Sequence, residues 1–238
     1  MRTLSNEISY AEEWQKESES YESQGIYKLL SEITPHGRVL EVGVGSGAGT
    51  VALAQNHKVL GLENNTHLAR IARGRIAEIE EYVNIIEDDV FNPSESTIAA
   101  ISEFAPEVIT AWFIGASGIE QYKNVSKEGS VNAQQWPVLY RQKIEDAILM
   151  PAICPPSVKW IHLVNRGSIS ASDSEDYFKA KHAEDYDEYV FNKSGFKVTD
   201  VHILPWDLTK SSFPYSFVDS PGSRIWIFAS LLAKRDKK

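Results

Sequence analysis

The sequence has a single cysteine among its 238 residues, which excludes an internal disulfide. It is also short of cations, with 24 Lys and Arg against 33 Asp and Glu and a net charge of -9. That balance argues against broad binding to nucleic-acid phosphates, which requires a basic surface. No stretch approaches the run of about 18 apolar residues that spans a membrane, and the N-terminus lacks the apolar core of a signal peptide. We therefore expect a cytoplasmic protein that does not contact membranes.

The sequence does contain an alternation of short apolar runs with helical patterns. Five apolar runs are typical of strands: 39–42, 58–63, 83–86, 107–113 and 158–164. Because helical stretches separate them, they predict an α/β fold with a mostly parallel sheet. Two further runs, 196–204 and 224–231, have no helix between them and predict an antiparallel hairpin at one edge. The length suits a single domain over residues 1–238.

Two segments lie outside this alternation. Residues 1–34 have the periodicity of one or two helices, and we predict that they form a helical lid. Residues 114–136 contain several glycines and many polar side chains, which predicts a long loop after strand four.

The most informative segment is the glycine-rich turn after the first strand. Glycines at 43, 45, 47 and 49 lack the Cβ atom that would hold a ligand away from the main chain. Such a turn between a strand and a helix allows a nucleotide-like cofactor to contact the backbone. The pattern does not by itself decide which cofactor binds, since Gly43-x-Gly45-x-x-Ala48 also satisfies a loose dinucleotide fingerprint.

Carboxylates follow the same edge of the predicted sheet. Glu41 precedes the glycines, Glu63 ends strand two, and Asp88 with Asp89 follows strand three. The carboxyl ends of parallel strands share one edge, where ligands bind in open α/β sheets. A carboxylate at the end of strand two can accept hydrogen bonds from two ribose hydroxyls, and one after strand three can accept from an exocyclic amine.

This ordered pattern resembles the class I S-adenosylmethionine-dependent methyltransferases, over about residues 24–232. The resemblance rests on Glu41, Gly43, Gly45, Gly47, Glu63, Asp88 and Asp89. It implies a Rossmann-like, seven-stranded sheet of order 3-2-1-4-5-7-6, with the last strand antiparallel and helices on both faces. It also implies S-adenosyl-L-methionine as the cofactor and methyl transfer as the activity.

The resemblance implies a set of cofactor-binding residues: Glu41, Gly43, Gly45, Gly47, Glu63, Asn64, Asp88, Asp89, Val90 and Thr110. At the methionine end, Glu41 and the backbone of Gly43 and Gly45 would face the cofactor. Gly47 would allow close packing of the helix that follows.

At the adenosine end, Glu63 would hold the ribose hydroxyls and Asn64 would line the adenine edge. Members of the family often carry Gly immediately before the acid that meets the adenine amine. If Asp88 takes that Gly position, Asp89 is the adenine contact, and we favour it. The Val90 amide would lie beside the adenine.

The sequence says less about the residues that would contact the methyl acceptor. Trp112 at the end of strand four and Arg166 after strand five are candidate substrate-facing residues, while the pattern identifies neither a catalytic base nor metal-ligand spacing. Thr110-Ala111-Trp112-Phe113 stands where an Asn-Pro-Pro-aromatic motif would orient a planar amine. With the acidic balance, this favours a small molecule or a protein side chain over nucleic acid as the acceptor. The oligomeric state is left open.

Two alternatives remain at this point. An NAD(P)-dependent oxidoreductase of Rossmann fold would use the same glycines, although Glu41 would repel a nearby diphosphate. A catalytically idle cofactor-binding protein would act as a partner subunit, with the tryptophans of 112–136 and 205–217 in an interface.

Overall fold

The computed structural model of the protein describes residues 5–125, 132–213 and 224–236. Its strands are β1 Val39–Val42, β2 Val59–Glu63, β3 Val83–Glu87, β4 Val108–Trp112, β5 Trp160–Ser170, β6 Phe196–Pro205 and β7 Arg224–Arg235. They form a seven-stranded sheet in the order β3-β2-β1-β4-β5-β7-β6. The strands β1 to β5 pair in parallel, and β7 is antiparallel to both β5 and β6. The predicted fold class and strand order are confirmed.

Eight α-helices flank this sheet in the described part of the chain. They are α1 Glu7–Ser23, α2 Ile26–Ile33, α3 Ala48–Ala54, α4 Thr66–Ile76, α5 Glu95–Phe104, α6 Gly118–Val125, α7 Trp136–Ala147 and α8 Glu175–Tyr186. Side-chain caps start four of them, because Asn6, Asn65, Ser94 and Ser174 each accept a hydrogen bond from a backbone N–H of the first turn. None of these helices is both long and apolar enough to cross a membrane.

The two faces of the sheet have separate apolar cores. All residues of β1 and β4 are buried, as expected for central strands covered on both sides. Leu40 and Val42 pack with residues of α5, α6 and α7, whereas Val39 packs with residues of α1 to α4. Since side chains alternate along a strand, Glu41 falls on the face that carries α3.

The N-terminal segment is helical as predicted, and residues 1–4 lie outside the described residues. It forms α1 and α2, which Gly25 separates in the left-handed conformation with φ +73°. Whether this segment acts as a lid stays a prediction.

The predicted loop over 114–136 is wrong for residues 118–125, which form α6; residues 126–131 lie outside the described part of the chain. Ser117 explains the helix, because its Oγ accepts from the Glu120 N–H at 3.2 Å and its carbonyl accepts from the Gln121 N–H at 2.9 Å. Gly118 occupies only the first helical position, where glycine does little harm.

Candidate functional site

The glycine turn joins β1 to α3 through three left-handed residues. Gly43, Gly45 and Gly47 have φ values of +79°, +60° and +87°, a region that residues with a Cβ rarely adopt. The turn is tied to the neighbouring strand, since the Gly43 N–H donates to the Leu62 carbonyl at 2.9 Å. The path of the chain therefore requires glycine here.

Gly47 has the packing role that the resemblance implies. A Cβ built on it would lie 2.9 Å from the Ala72 Cα, so α3 and α4 approach as closely as the backbone allows. Gly47 is not among the described residues that line the cleft described below.

Glu63 links the end of β2 to this turn. Its Oε2 accepts from the Gly45 N–H at 2.8 Å, and its Oε1 accepts from the Asn65 N–H at 2.9 Å. Burial raises the pKa of Glu63 to about 7, although these backbone hydrogen bonds act in the opposite direction. Each carboxylate oxygen still has a lone pair for a second donor.

Glu41 lies behind the turn rather than on the cleft wall. Its Oε2 accepts from the Thr50 Oγ at 2.6 Å, and its Oε1 lies 3.0 Å from the position that a Cβ on Gly49 would take. Burial raises the pKa of Glu41 to about 8, with the Thr50 hydrogen bond opposing the shift.

A cleft opens at the carboxyl ends of β1, β2 and β4 next to this turn, and we call it the main cleft. The empty space within it, including the part open to solvent, is about 750 Å³. The described residues that line it are Glu7, Tyr10, Trp14, Val42, Gly43, Gly45, Leu62, Glu63, Asn64, Asn65, Leu68, Asp88, Val90, Trp112, Phe113, Ile114, Gly115, Ala116, Ser117, Glu120, Tyr140 and Ile144.

The main cleft carries charge of one sign. Glu7, Glu63, Asp88 and Glu120 contribute four carboxyl groups, and the described lining contains no Lys, Arg or His. An anionic ligand would meet repulsion from these groups, whereas a cationic ligand would be attracted.

Helix α1 covers the glycine turn. The Trp14 Nε1 lies 2.6 Å from the position that a Cβ on Gly45 would take, so the indole rests directly on the turn. The Arg166 guanidinium lies 5.3 Å from the centroid of the Trp14 ring, and its Nη2 donates to the Phe113 carbonyl at 3.2 Å. Trp14 thus lies between the turn and Arg166, which belongs to β5 rather than following it as predicted.

Asp88, and not the favoured Asp89, lines the main cleft. The Asp88 carboxylate accepts from the Ser94 N–H at 2.9 Å and from the Thr97 hydroxyl at 2.5 Å. Burial acts to raise its pKa, but these hydrogen bonds outweigh burial and lower the pKa to about 2. Asp89 Oδ1 accepts from the Phe91 N–H at 3.0 Å, which closes a local turn. The adenine role of either residue stays a prediction.

The remaining predicted residues fall in three places. Asn64, Val90 and Trp112 line the main cleft. Thr110 is fully buried in β4, and its Oγ has no hydrogen-bond partner among the described residues. Arg166 lies beyond Trp14 and outside the described lining.

The buried indole of Trp112 adds a further donor. The ring packs against Tyr27 with centroids 6.5 Å apart, and its Nε1 has no hydrogen-bond partner among the described residues. A buried N–H in this state is commonly satisfied by a bound molecule or by water. No group of three or more His, Cys, Asp or Glu in the described residues is placed to hold a metal ion.

The topology and the position of the cleft decide the fold. It is the class I methyltransferase fold. No protein-family model matches the sequence, and no curated protein matches it.

Solved structures with this fold are similar to the chain at low sequence identity. The structure of the [4+2]-cyclase SpnF is 13% identical with a TM-score of 0.53, covering 90% of this chain and 80% of that one. The 23S rRNA methyltransferase ErmE is 15% identical with a TM-score of 0.49, and the match covers 89% of this chain and 68% of ErmE. The magnesium protoporphyrin IX methyltransferase ChlM from Synechocystis PCC 6803 is 12% identical with a TM-score of 0.45. The match covers 97% of this chain and 82% of ChlM. Likeness at this level establishes the fold alone.

Several residues of the main cleft in this methyltransferase fold escaped the sequence prediction. Asn65 carried a usable signal, because an Asn just before an apolar-periodic run is a typical helix cap. Glu120, Tyr140 and Ile144 belong to α6 and α7, far along the chain from the glycine turn. No local spacing predicts that these helices reach the same cleft.

Proposed function

We propose that this protein is an S-adenosylmethionine-dependent methyltransferase. The observation that carries the proposal is the charge of the main cleft. A left-handed glycine turn at the carboxyl end of β1 adjoins four carboxyl groups, with no cation among the described lining residues. A sulfonium cofactor suits this environment, and the diphosphate of a dinucleotide does not. This argument favours methyl transfer over the oxidoreductase alternative.

Residues of the main cleft support a role at each end of the cofactor, provided that the Trp14 indole moves off Gly45 when the methionine part binds. We propose that Glu63 accepts from the ribose hydroxyls and that the backbone at Gly43 and Gly45 faces the methionine part. Asn64 and Asp88 lie on the wall where the adenine would rest. When bound, S-adenosylmethionine supplies a methyl group on a positively charged sulfur, which a nucleophile on the acceptor attacks. The protein's part is to align the acceptor and to exclude water.

Isothermal titration with S-adenosylhomocysteine tests the cofactor directly. We expect saturable binding with one molecule per chain. NADH serves as the matched control, since it shares the adenosine but carries a diphosphate, and we expect no change in its fluorescence on mixing. Binding of NADH, together with no binding of S-adenosylhomocysteine, would replace this proposal with the oxidoreductase.

We propose a small molecule as the acceptor rather than a nucleic acid. The net charge of -9 and the acidic cleft both disfavour a polyphosphate chain. Fluorescence anisotropy with a labelled RNA hairpin at low salt checks this, and tight binding would contradict it. Cofactor binding without methyl transfer to a broad acceptor panel would favour the catalytically idle partner subunit.

A further inference from the structure

A second depression adjoins the main cleft on the far side of Trp14. It is lined by apolar Trp14, Pro137, Val138 and Phe213 and by basic Arg141 and Arg166, and we call it the side trough. The side trough shares Tyr10, Trp14 and residues 113–116 with the main cleft. If the main cleft holds the methyl donor, as proposed above, the side trough is the adjoining space for the acceptor.

The basic end of the side trough is built on two elements. Arg166 extends from β5, where its Nη2 donates to the Phe113 carbonyl at 3.2 Å. Arg141 lies on α7, and its buried Nε makes no hydrogen bond with the described residues. The Glu145 Oε1 lies 3.6 Å from this Nε, which makes an ion pair but is too far for a hydrogen bond. A buried N–H in this state requires an acceptor, which a ligand or a water molecule can supply.

The carboxyl group near Arg141 is already engaged elsewhere. The Tyr186 hydroxyl donates to Glu145 Oε1 at 2.7 Å, and the Asn165 Nδ2 donates to the Tyr186 Oη at 2.6 Å. Burial raises the pKa of Glu145, while the Tyr186 hydrogen bond and the charge of Arg141 act in the opposite direction. Among the described residues, the side trough itself has one acid, the exposed Glu13 on α1.

A second buried nitrogen without a hydrogen-bond partner among the described residues lies near Arg141 and Glu145. Arg141 and His182 line a recess that continues from the side trough, and the acids of this recess are Glu145, Asp146 and Asp185. The His182 Nε2 is buried and has no hydrogen-bond partner among the described residues. Each of these two buried nitrogens has room for a polar partner, which a ligand or a water molecule can supply.

We propose that the methyl acceptor is a small molecule with an apolar body and an anionic oxygen group, such as a carboxylate or a phosphate. The apolar body lies against Trp14, Val138 and Phe213. The anionic group binds between Arg141 and Arg166, where planar guanidinium groups suit a carboxylate or a phosphate. This inference rests on the proposed function and adds the chemical class of the acceptor.

Three probes that differ in one group test the inference. They are 4-phenylbutyrate, 4-phenylbutanamide and 4-phenylbutylamine, titrated calorimetrically into the full chain saturated with S-adenosylhomocysteine. We expect the carboxylate to bind at least about tenfold more tightly than the amide, as a charge-assisted hydrogen bond allows, and the amine to bind most weakly. Equal binding of all three, or no binding by the carboxylate, overturns the inference.

The Arg141→Gln variant locates the effect, with Arg70→Gln as its control. Arg70 is exposed on α4 and outside both depressions in the described chain, so the two variants lose the same charge. We expect Arg141→Gln to abolish the preference for the carboxylate and Arg70→Gln to retain it. If Arg141→Gln still prefers the carboxylate, Arg141 does not bind the anionic group and the assignment is wrong. If that variant does not fold, the comparison of the three probes on the unmodified chain still tests the acceptor class.

The same titrations separate this inference from the proposed function. Binding of S-adenosylhomocysteine without any preference for the carboxylate refutes only the acceptor class. Failure of S-adenosylhomocysteine to bind refutes the proposed cofactor, while the probes titrated alone still report on the side trough.

Discussion

The Oε2 of Glu63 accepts a hydrogen bond from the backbone N–H of Gly45 at 2.8 Å, which ties the end of β2 to the glycine turn after β1. The other oxygen is held by the Asn65 N–H at 2.9 Å. The carboxyl group is therefore fixed before any ligand arrives, and a ligand does not lose affinity in ordering it.

Replacing Glu63 by Gln tests its role in holding the cofactor. The variant keeps the shape of the side chain but replaces one acceptor oxygen by an NH₂ group, which then faces a backbone donor. We expect the affinity for S-adenosylhomocysteine to fall at least about tenfold, which corresponds to about 1.4 kcal/mol. Isothermal titration measures the change.

Glu87→Gln is the matched control for this variant. Glu87 lies opposite Glu63 in the register of β2 and β3, is exposed, and pairs with Arg73 at 3.1 Å. We expect the affinity of the Glu87→Gln variant for S-adenosylhomocysteine to stay within about twofold of that of the original protein, because exposed ion pairs contribute little. Equal losses in both variants would mean that general charge, not the position of Glu63, governs binding.

The sheet could be predicted from the sequence because its signals are local. Apolar runs separated by helical patterns define β1 to β5, and the lack of a helix before β7 defines the hairpin. Gly43 and Gly45 are recognisable because a left-handed turn restricts the residue type at each position.

The choice between Asp88 and Asp89 could not be made from the sequence. Both are acids after β3, and only the geometry of Ser94 and Thr97 at the start of α5 turns Asp88 toward its cap and the cleft. The position of Trp14 on Gly45 depends in the same way on how α1 packs across the sheet. Contacts between residues far apart in the chain produce no regular spacing in the sequence from which they could be predicted.

Gly47→Ala tests the close contact of α3 with α4. The residue has φ +87°, and its Cβ would lie 2.9 Å from the Ala72 Cα. Left-handed strain costs about 1–2 kcal/mol, and the clash adds to it. We expect the melting temperature to fall by at least about 4 °C in a thermal circular-dichroism scan.

Gly74→Ala, in the same pair of helices, should stabilise the protein rather than destabilise it. Gly74 lies inside α4 with nothing within 4 Å of a built Cβ. Alanine there lowers the conformational entropy of the unfolded chain, so we expect stabilisation of about 0.5–1 kcal/mol. A Gly47→Ala protein as stable as the Gly74→Ala protein would contradict the packing role.

Glu41 predicts a pH dependence of stability in the cofactor-free protein. Its pKa is raised to about 8 in the folded state from 4.5, so between these values the unfolded chain is ionised while the folded one holds its proton. Stability from this group is fully present below the lower pKa and is lost as pH rises through the higher one. Each pKa unit corresponds to about 1.4 kcal/mol, so the loss is several kcal/mol.

Glu41→Gln removes this titration while keeping a hydrogen-bond acceptor for Thr50. We expect the variant and the original protein to have similar unfolding free energies near pH 4.5 and the variant to be more stable near pH 8, by urea denaturation. Glu63, whose pKa is raised to about 7, titrates in both proteins, and its charge contributes to the raised pKa of Glu41. Parallel pH profiles for the two proteins would show that Glu41 ionises normally.

Glu17 fastens α1 to the segment between β6 and β7. The side chain is fully buried, and its carboxylate accepts from the Ser211 Oγ at 2.8 Å and from the Ser212 N–H at 2.6 Å. Burial acts to raise its pKa, but hydrogen bonds from Tyr21, Ser211 and Ser212 outweigh burial and lower it. The carboxylate is therefore charged at neutral pH and holds two distant segments together.

Glu17→Ala should release α1 from the main cleft, because the backbone donor at 212 then lacks its partner. We expect faster amide hydrogen exchange along α1 and faster dissociation of S-adenosylhomocysteine in stopped-flow measurements, with a loss of about 2 kcal/mol or more in stability. Glu12→Ala, exposed on the same helix, should change stability by less than about 0.5 kcal/mol. Unchanged exchange in α1 of the Glu17→Ala protein, despite a lower melting temperature, would show that the contact stabilises the fold without controlling access to the cleft, and the helical lid would lose its support.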